Sequence, residues 1–322
     1  MPYKRSRGKS KRPQTKKALY QVKNWPEYTP ALKKRGSLTV YLSPDLEETW
    51  YEKKPCIYKQ GHPVSYSDHA ITTMLSLRML FKLPLRQTEG FFKSLFELAG
   101  INLNVPDYTR LSRRGSTPLK QLSLPDLKEP YHLIVDSTGL KVYGESEWLE
   151  TKHGKSYQRK LWRKLHIGVV EGGLIFSRKM TDHLTDDRQC LIPLIEQAGD
   201  QVTEVIADSG YDGNNIYNLL AERRIKAIIP PPQEVKVSSQ GYPTLRDQAI
   251  AYIEKKGYYA WQNKNQYGCR ARVENTFYRY KLTIGRTLKA RLWENQDVET
   301  HLGCCLLNQM TKLGMPHSVK VS

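Results

Sequence analysis

The sequence predicts an α/β protein in which a small helical region, about residues 37–114, precedes a mixed-sheet core at about 131–322. Two observations carry this. Beyond Pro130 short apolar runs (YHLIVD, LKVYG, KLHIGVV, LIFSRKM, TEVIAD, KAIIP) alternate with turn signals and helical stretches. Before it, helical periodicity dominates, and the two textures are separated by GSTPLKQLSLPDLKEP, residues 115–130, whose three prolines read as a linker.

Residues 1–36 read as a flexible basic arm, broken by Pro13, Pro26, Pro30 and Gly36. SLTVYL at 37–42 has the composition of a strand. SYSDHAITTMLSLRMLFK opens with Ser65-x-x-Asp68, a capping-box-like pair, and carries Ile71, Met74, Leu75 and Leu77 at helical spacing. Pro84 opens a second helix, LRQTEGFFKSLFELAG, which Gly100 stops. Pro106 leads into a third, DYTRLSRR. The succession is compatible with a helix-turn-helix unit whose third helix turns Arg110, Arg113 and Arg114 towards DNA. A small helical domain with solvated arginines would show the same pattern.

In the core, YHLIVD and LKVYG make a candidate hairpin around Ser137–Gly139. KLHIGVV and LIFSRKM flank Glu171-Gly172-Gly173 as a second. A helix near 186–198, the strand TEVIAD, a helix near 214–223 and the strand KAIIP follow. Residues 230–266, starting at Pro230-Pro231-Pro232, read as an insertion. Helical texture near 296–313 would cover a sheet face.

Charge narrows the function. With 51 Lys and Arg against 32 Asp and Glu, the formal charge is +19, which implicates a polyanionic partner. The first seventeen residues supply eight of these charges, so the body remains strongly basic without them. The stretch KHGKSYQRKLWRKLH interleaves Lys152, Lys155, Arg159, Lys160, Arg163 and Lys164 with Tyr157 and Trp162, as suits a DNA backbone surface. No run is apolar enough for a membrane span and no signal-like core follows the basic start, so a cytoplasmic location is expected. The five cysteines form no CxxC pair, which argues against a disulfide framework or zinc site. His153 and His166 are spaced unlike metal ligands and stay unassigned.

The most specific feature is Tyr267, Arg270, Glu274 and Lys281, spaced Tyr-x2-Arg-x3-Glu-x6-Lys. On a continuous helix the last three lie at roughly 300°, 340° and 320° from Tyr267, a single face. A carboxylate flanked by a guanidinium, an ammonium and a phenol suits a metal-bound phosphate, and a solvated salt-bridged face would look the same. Upstream, Asp136 in YHLIVDSTG and Asp208 in TEVIADSG each end an apolar run. Asp212 follows a turn and is the weaker rival to Asp208, and Asp182, Asp186 and Asp187 look like helix-capping charge.

These elements, in this order, resemble the bacterial insertion-sequence DDE transposases of the group with that four-residue signature. The resemblance implies an RNase H-like mixed-sheet catalytic core preceded by a small helical DNA-binding domain. It implies catalytic and metal-ligating roles for Asp136, Asp208 and Glu274, with two Mg²⁺ ions for which Mn²⁺ substitutes. Arg270 and Lys281 become phosphate contacts, and Tyr267 a phosphate or base contact. The implied partners are double-stranded DNA, as element ends and target, and a second copy of the chain on that DNA beside the bacterial nucleoid. In similar proteins an aromatic residue of the insertion holds a flipped base, a part open to Trp261, although a tryptophan buried in a small subdomain is the favoured reading from sequence. A nuclease or resolvase of the same fold and a DNA-binding protein without catalysis are the competing expectations.

Overall fold

A computed structural model describes residues 19–52, 65–116, 125, 129–143, 162–232, 235, 237 and 244–321. Two compact units emerge, residues 38–311 and a smaller one from residues 1–37 with 312–322.

In the smaller unit the strand Leu19–Val22 pairs antiparallel with Ser318–Val321. The helix Trp25–Arg35 follows, and its Arg35 donates to the Gly314 carbonyl at 2.5 Å. Residues 19–36 are thus folded where a flexible arm was expected. The ladder to the chain's far end, 296 or more residues away, supplies the pairing that local sequence cannot. The basic stretch before Leu19 lies outside the described residues.

The larger unit opens with a 3-10 turn, Leu38–Val40, in place of the strand expected at 37–42. No strand among the described residues lies beside it; the Val40 carbonyl instead accepts a bond from Gln309. Four helices follow: α1 (Leu46–Thr49), α2 (Asp68–Leu80), α3 (Leu85–Ala99) and α4 (Tyr108–Arg113). Ser67, not Ser65, caps α2, its hydroxyl accepting from Ala70 N at 3.0 Å. Gly100 ends α3 in the left-handed conformation at φ 68°. Asp107 caps α4 through Thr109 N and Arg110 N, and that helix spans only six residues.

A six-stranded mixed sheet follows, with β1 (Tyr131–Val142), β2 (Trp162–Val169), β3 (Ile175–Asp182), β4 (Val202–Ile206), β5 (Lys226–Ile228) and β6 (Thr287–Leu288). Its order is β3-β2-β1-β4-β5, with β6 alongside the end of β1. β1, β2 and β3 run antiparallel, while β4, β5 and β6 lie parallel to their neighbours. The expected hairpin at Ser137–Gly139 is absent: β1 runs straight through, paired to β2 from Ile134↔Val169 to Lys141↔Trp162. Its turn-forming residues serve a close approach instead. A Cβ on Gly139 would stand 2.9 Å from the Trp162 ring. The second hairpin turns at Gly173, φ 77°.

Helices α5 (Arg188–Ala198) and α6 (Asn214–Glu222) cover one sheet face, enclosing Leu133 and Val135 with Leu191, Leu194 and Leu220. The insertion contributes α7 (Leu245–Lys256), closed by a Thr244–Asp247 capping box, and α8 (Tyr258–Lys264). On the other face α9 (Ala271–Thr283) and α10 (Trp293–Lys312) enclose Ile134, Leu140 and Ile167 with Val273, Phe277 and Leu307. Because β1 is buried on both faces, its apolar run is nearly continuous and its register is strongly determined.

α10 belongs to two cores. Cys304 and Leu307 face the sheet, whereas Val298, Leu302 and Leu306 enter the cluster built by Trp50, Met74, Leu77, Phe92, Phe96 and Leu111. The helical region and the sheet therefore fold as one compact unit, with no boundary between units at 115–130. Among the described residues no helix is long and apolar enough to cross a membrane.

Candidate active site

Asp136 sits in the middle of β1, not at its end, on the face that also carries Ile134 and Leu140. Asp208 lies two residues beyond β4 and accepts a bond from Gly210 N at 2.9 Å. Since β1 and β4 are parallel neighbours in the register Ile134↔Ile206, residues two positions further on stand side by side. α9 crosses this face and presents Glu274 from its first turn.

Arg270 joins the three. Its Nη2 donates to Asp136 Oδ2 at 2.8 Å and lies 3.9 Å from Asp208 Oδ2, while Nη1 donates to Glu274 Oε1 at 2.6 Å. Side-chain exposure rises from 11% at Asp136 through 38% at Asp208 to 56% at Glu274, so the carboxylates form a wall from the sheet to solvent. Burial pushes the Asp136 carboxyl up to about 6, against the pull of Arg270 and of Ser137 N; the charges of Asp208 and Glu274 add to the rise. Burial disfavours the Arg270 charge, but Asp136 and its neighbours more than offset this and its pKa is raised. Its Nε is buried without a partner among the described residues.

The donor set is three carboxylates, hard oxygen ligands of the type Mg²⁺ and Mn²⁺ prefer. Among the described residues no three Asp, Glu, His or Cys side chains stand close enough to hold a metal ion as they are. The guanidinium supplies the positive charge between them. The residues fit a divalent cation chemically, with Arg270 as the group that must share them.

The other expected contacts divide. Tyr267 and Arg270 form a 3-10 turn, entered through Gln266 at φ 49°, and α9 begins only at Ala271, so the four-residue stripe is not one continuous helix. Tyr267 is buried against Trp261, ring centroids 5.4 Å apart, and its hydroxyl donates to the Ala207 carbonyl at 3.2 Å. It anchors the strand end before Asp208, with its hydroxyl engaged inside the fold. Trp261 is 4% exposed and fills this core, which removes it as a base platform. Lys281 is half-buried on α9 with no ion pair to a described residue, and burial with the nearby Arg286 lowers its pKa.

Lys164 donates to Asp187 at 2.8 Å and to the Thr185 carbonyl, so its charge is spent inside the fold. Arg163 stacks over the Trp293 ring at 4.9 Å and bonds Gln296. In the helical region Arg114 is held by Asp68 and the Tyr66 carbonyl, and Arg110 lies over the Tyr66 ring with Asp107 3.3 Å away. Arg113 is exposed and, among the described residues, bonds only within its own turn, to Thr109. Arg159 and the rest of the basic stretch before Trp162 lie outside the described residues. Asp212, the rival carboxylate, is buried and clamped by Arg246 of α7 at 2.5–3.1 Å.

Behind the carboxylates runs a polar layer that no spacing in the sequence signals. Ser137 donates to Asp187 at 2.8 Å. The fully buried Tyr211, three residues after Asp208, meets His166 Nδ1 at 3.3 Å, and His166 Nε2 meets Thr181 Oγ1 at 2.9 Å. Thr181 donates onward to the Asp182 carbonyl. One proton per group fixes the direction: Tyr211 O–H to Nδ1, then Nε2–H to Thr181. Burial keeps His166 neutral, in keeping with this direction, and the residue ties the Asp208 loop to β2, where it pairs with Ser137.

Comparison with known proteins gives this arrangement its family. Residues 127–309 match a family model described as a transposase DDE domain, and residues 33–145 match a second of the same description. The chain belongs to the DDE transposases. It is also 24% identical over 259 residues to an uncharacterized protein of Aquifex aeolicus (strain VF5), covering 74% of this chain and 73% of the relative. Membership makes this transposase an enzyme of the polynucleotidyl-transferase type.

Proposed function

We propose that this transposase binds the ends of its element and performs divalent-metal-dependent strand cleavage followed by strand transfer, with Asp136, Asp208 and Glu274 as the metal ligands. The observation that carries the reading is the convergence of these three carboxylates, from two parallel strands and a helix, on one guanidinium. Two Mg²⁺ ions bound there would activate the attacking oxygen and stabilise the leaving one. Around them, Asp136 and Asp208 offer oxygens from the sheet, Glu274 closes the site from α9, and Arg270 turns to a phosphodiester oxygen. Lys281 holds a phosphate further along the same helix. Water attacks the phosphorus at the element end and displaces the 3′-oxygen, so the element strand ends in a 3′-hydroxyl and the flanking strand in a 5′-phosphate. That hydroxyl then attacks a target phosphodiester, joining to its phosphorus and displacing the target strand's 3′-oxygen as a new 3′-hydroxyl.

The strand order β3-β2-β1-β4-β5, three antiparallel and two parallel, supports an RNase H-like core. The Arg270–Glu274 pair, and Lys281 without an ion pair among the described residues, support the Tyr-x2-Arg-x3-Glu-x6-Lys group. Double-stranded DNA is the substrate, and a pair of chains bridges two ends. Exposed Arg113 is the helical region's remaining candidate for base contact, since Arg110 and Arg114 are engaged elsewhere.

The test is a transfer assay with element-end DNA and Mg²⁺ or Mn²⁺. Joined product supports the reading, cut product alone a nuclease, and binding alone a protein without catalysis. Asp136→Asn, Asp208→Asn and Glu274→Gln should each abolish cleavage by at least 100-fold while DNA binding persists, on the order expected for a lost metal ligand. Cleavage at the parent rate by any one of them would remove that residue from the site.

A further inference from the structure

Most of the chain's excess charge belongs to the smaller unit. Residues 1–37 and 312–322 carry fourteen Lys and Arg against one acid, Glu27, and so hold +13 of the total +19. Among the described residues the sheet of this unit has two strands, Leu19–Val22 and Ser318–Val321. Such a ribbon is marginal in water, because it takes a third strand or a packed face to bury enough surface. Its register pairs Tyr20 with Lys320, Gln21 with Val319 and Val22 with Ser318, so successive pairs face opposite ways. Tyr20, Val22, Ser318 and Lys320 share one face, on which Val22 is half-buried. On the other, Gln21, Val319 and Val321 are all exposed, the valines to 40% and 42%. Lys23, just past the strand, donates to Gln21 Oε1 at 3.0 Å and joins that face. The open face therefore runs from an ammonium through an amide to methyl groups.

We infer that this face, formed by Gln21, Lys23, Val319 and Val321, reads base edges in the major groove of double-stranded DNA. The inference rests on the function proposed above and adds to it a base-reading element that is neither α4 nor the carboxylate wall. The major groove, about 12 Å wide, admits a two-stranded ribbon, and a four-residue strand spans about 10 Å, the rise of about three base pairs. The side chains match the edges displayed there. With Lys23 on one lone pair of its Oε1, Gln21 has the other for adenine N6–H and its Nε2–H for adenine N7. Valine methyls suit the thymine methyl of the same A·T-rich step. The remaining cations of the unit, exposed Lys33, Lys34 and Lys312 among them, neutralise flanking phosphates. Phosphate contact by itself would not require the two ends of the chain to pair, since a basic arm binds a polyanion without a fold. An ordered ribbon is what holds side chains against particular bases. A second copy would set +13 against +13, and the major groove of duplex RNA is too deep and narrow to enter.

The experiment selects duplexes from a randomised DNA pool with the full chain in Ca²⁺, and follows amide exchange at residues 19–22 and 318–321 to establish that the strands stay paired. The wild type should enrich a motif. Gln21→Ala and Val319→Thr should each erase the preference at one or two neighbouring base pairs, by about 5- to 150-fold per pair, with the salt slope unchanged. Ser318→Ala, on the opposite face, should select the wild-type motif. At the pair lost in Gln21→Ala, 7-deazaadenine, which lacks N7, should weaken the wild type and leave the variant unaffected. An unchanged motif in the Gln21→Ala, Val319→Thr double variant would overturn the ribbon's role while leaving the proposed function standing. Equal weakening on every sequence with a flatter salt slope would do the same, as it marks phosphate contact only, and so would tighter binding to duplex RNA. If the double variant instead changes the sedimentation of the protein alone and keeps the motif, the face covers a second copy and the inference is wrong. A wild type that binds no DNA would fail the function itself, and the inference with it.

Discussion

Arg270 and Asp136 form a hydrogen-bonded ion pair, 2.8 Å from Nη2 to Oδ2, and the same guanidinium reaches Glu274 at 2.6 Å. The pair is asymmetric. Asp136 is nearly enclosed by the sheet, so its ionised form depends on this one cation. Three carboxylates with nothing between them would repel one another, and Arg270 is what holds them together without metal.

Arg270→Gln should therefore destabilise the protein in EDTA by about 1–3 kcal/mol, below the full value for a buried pair because the arginine is partly solvated. Adding Asp136→Asn to it should restore part of that loss, since the orphaned charge is gone. Urea unfolding of the two single variants and the double variant measures the coupling. An unchanged midpoint for Arg270→Gln would show that the pair does not matter to stability.

Stability should also depend on pH through His166. Burial holds its pKa down at about 4; the Asp187 charge opposes this and Lys164 and Lys179 reinforce it. The folded value lies below the ordinary value of about 6.5, so between these limits the unfolded chain binds more protons. Stability is full above about pH 6.5 and falls as pH drops towards 4, by about 3 kcal/mol in total from this group. Urea midpoints at pH 7.5, 6 and 5 should fall less steeply in His166→Gln than in wild type. Parallel slopes would mean that His166 titrates normally.

Tyr211→Phe removes one hydroxyl from the chain that joins the Asp208 loop to β2. The stability loss should be about 1 kcal/mol, the value of a typical buried hydrogen bond. Cleavage should need more Mn²⁺ to reach half its maximal rate, with DNA affinity unchanged. An unaltered Mn²⁺ dependence would confine Tyr211 to packing.

The two neighbouring arginines of α4 should separate. Arg114→Ala breaks the contacts to Asp68 and Tyr66 and should lower stability by about 1 kcal/mol. Arg113→Ala should leave the unfolding midpoint in place and shrink the ratio of affinities for element-end and random DNA. A constant ratio would move base recognition out of α4.

Leu302→Ala, in the face of α10 that enters the helical cluster, should cost about 3 kcal/mol and keep unfolding of residues 38–311 to one transition. Two separated transitions would show that the helical region and the sheet are independent after all.

Much of the scaffold was legible in the chain because it depends on local chemistry. α3 runs from Pro84 to Gly100 since a proline and a left-handed glycine mark its ends wherever the helix packs. The Gly173 turn and the strands either side of it follow from alternation and glycine alone. β1 did not, because Asp-Ser-Thr-Gly spells a turn until β2 lies alongside and pairs every residue of it. Strand pairing is non-local, and so is the ladder at Leu19–Val22 that orders what composition reads as an arm. The same division runs through the site. Asp136, Asp208 and Glu274 could be singled out by the runs and spacing around them, but they lie 72 and 66 residues apart. Only the parallel β1–β4 register and the crossing of α9 set them around Arg270. The loss of Tyr267, Lys164 and Arg114 as free contacts, and the His166–Tyr211 tie beneath the aspartates, were likewise settled in three dimensions: which partner a polar group finds is decided by burial, and burial is a property of the packed chain.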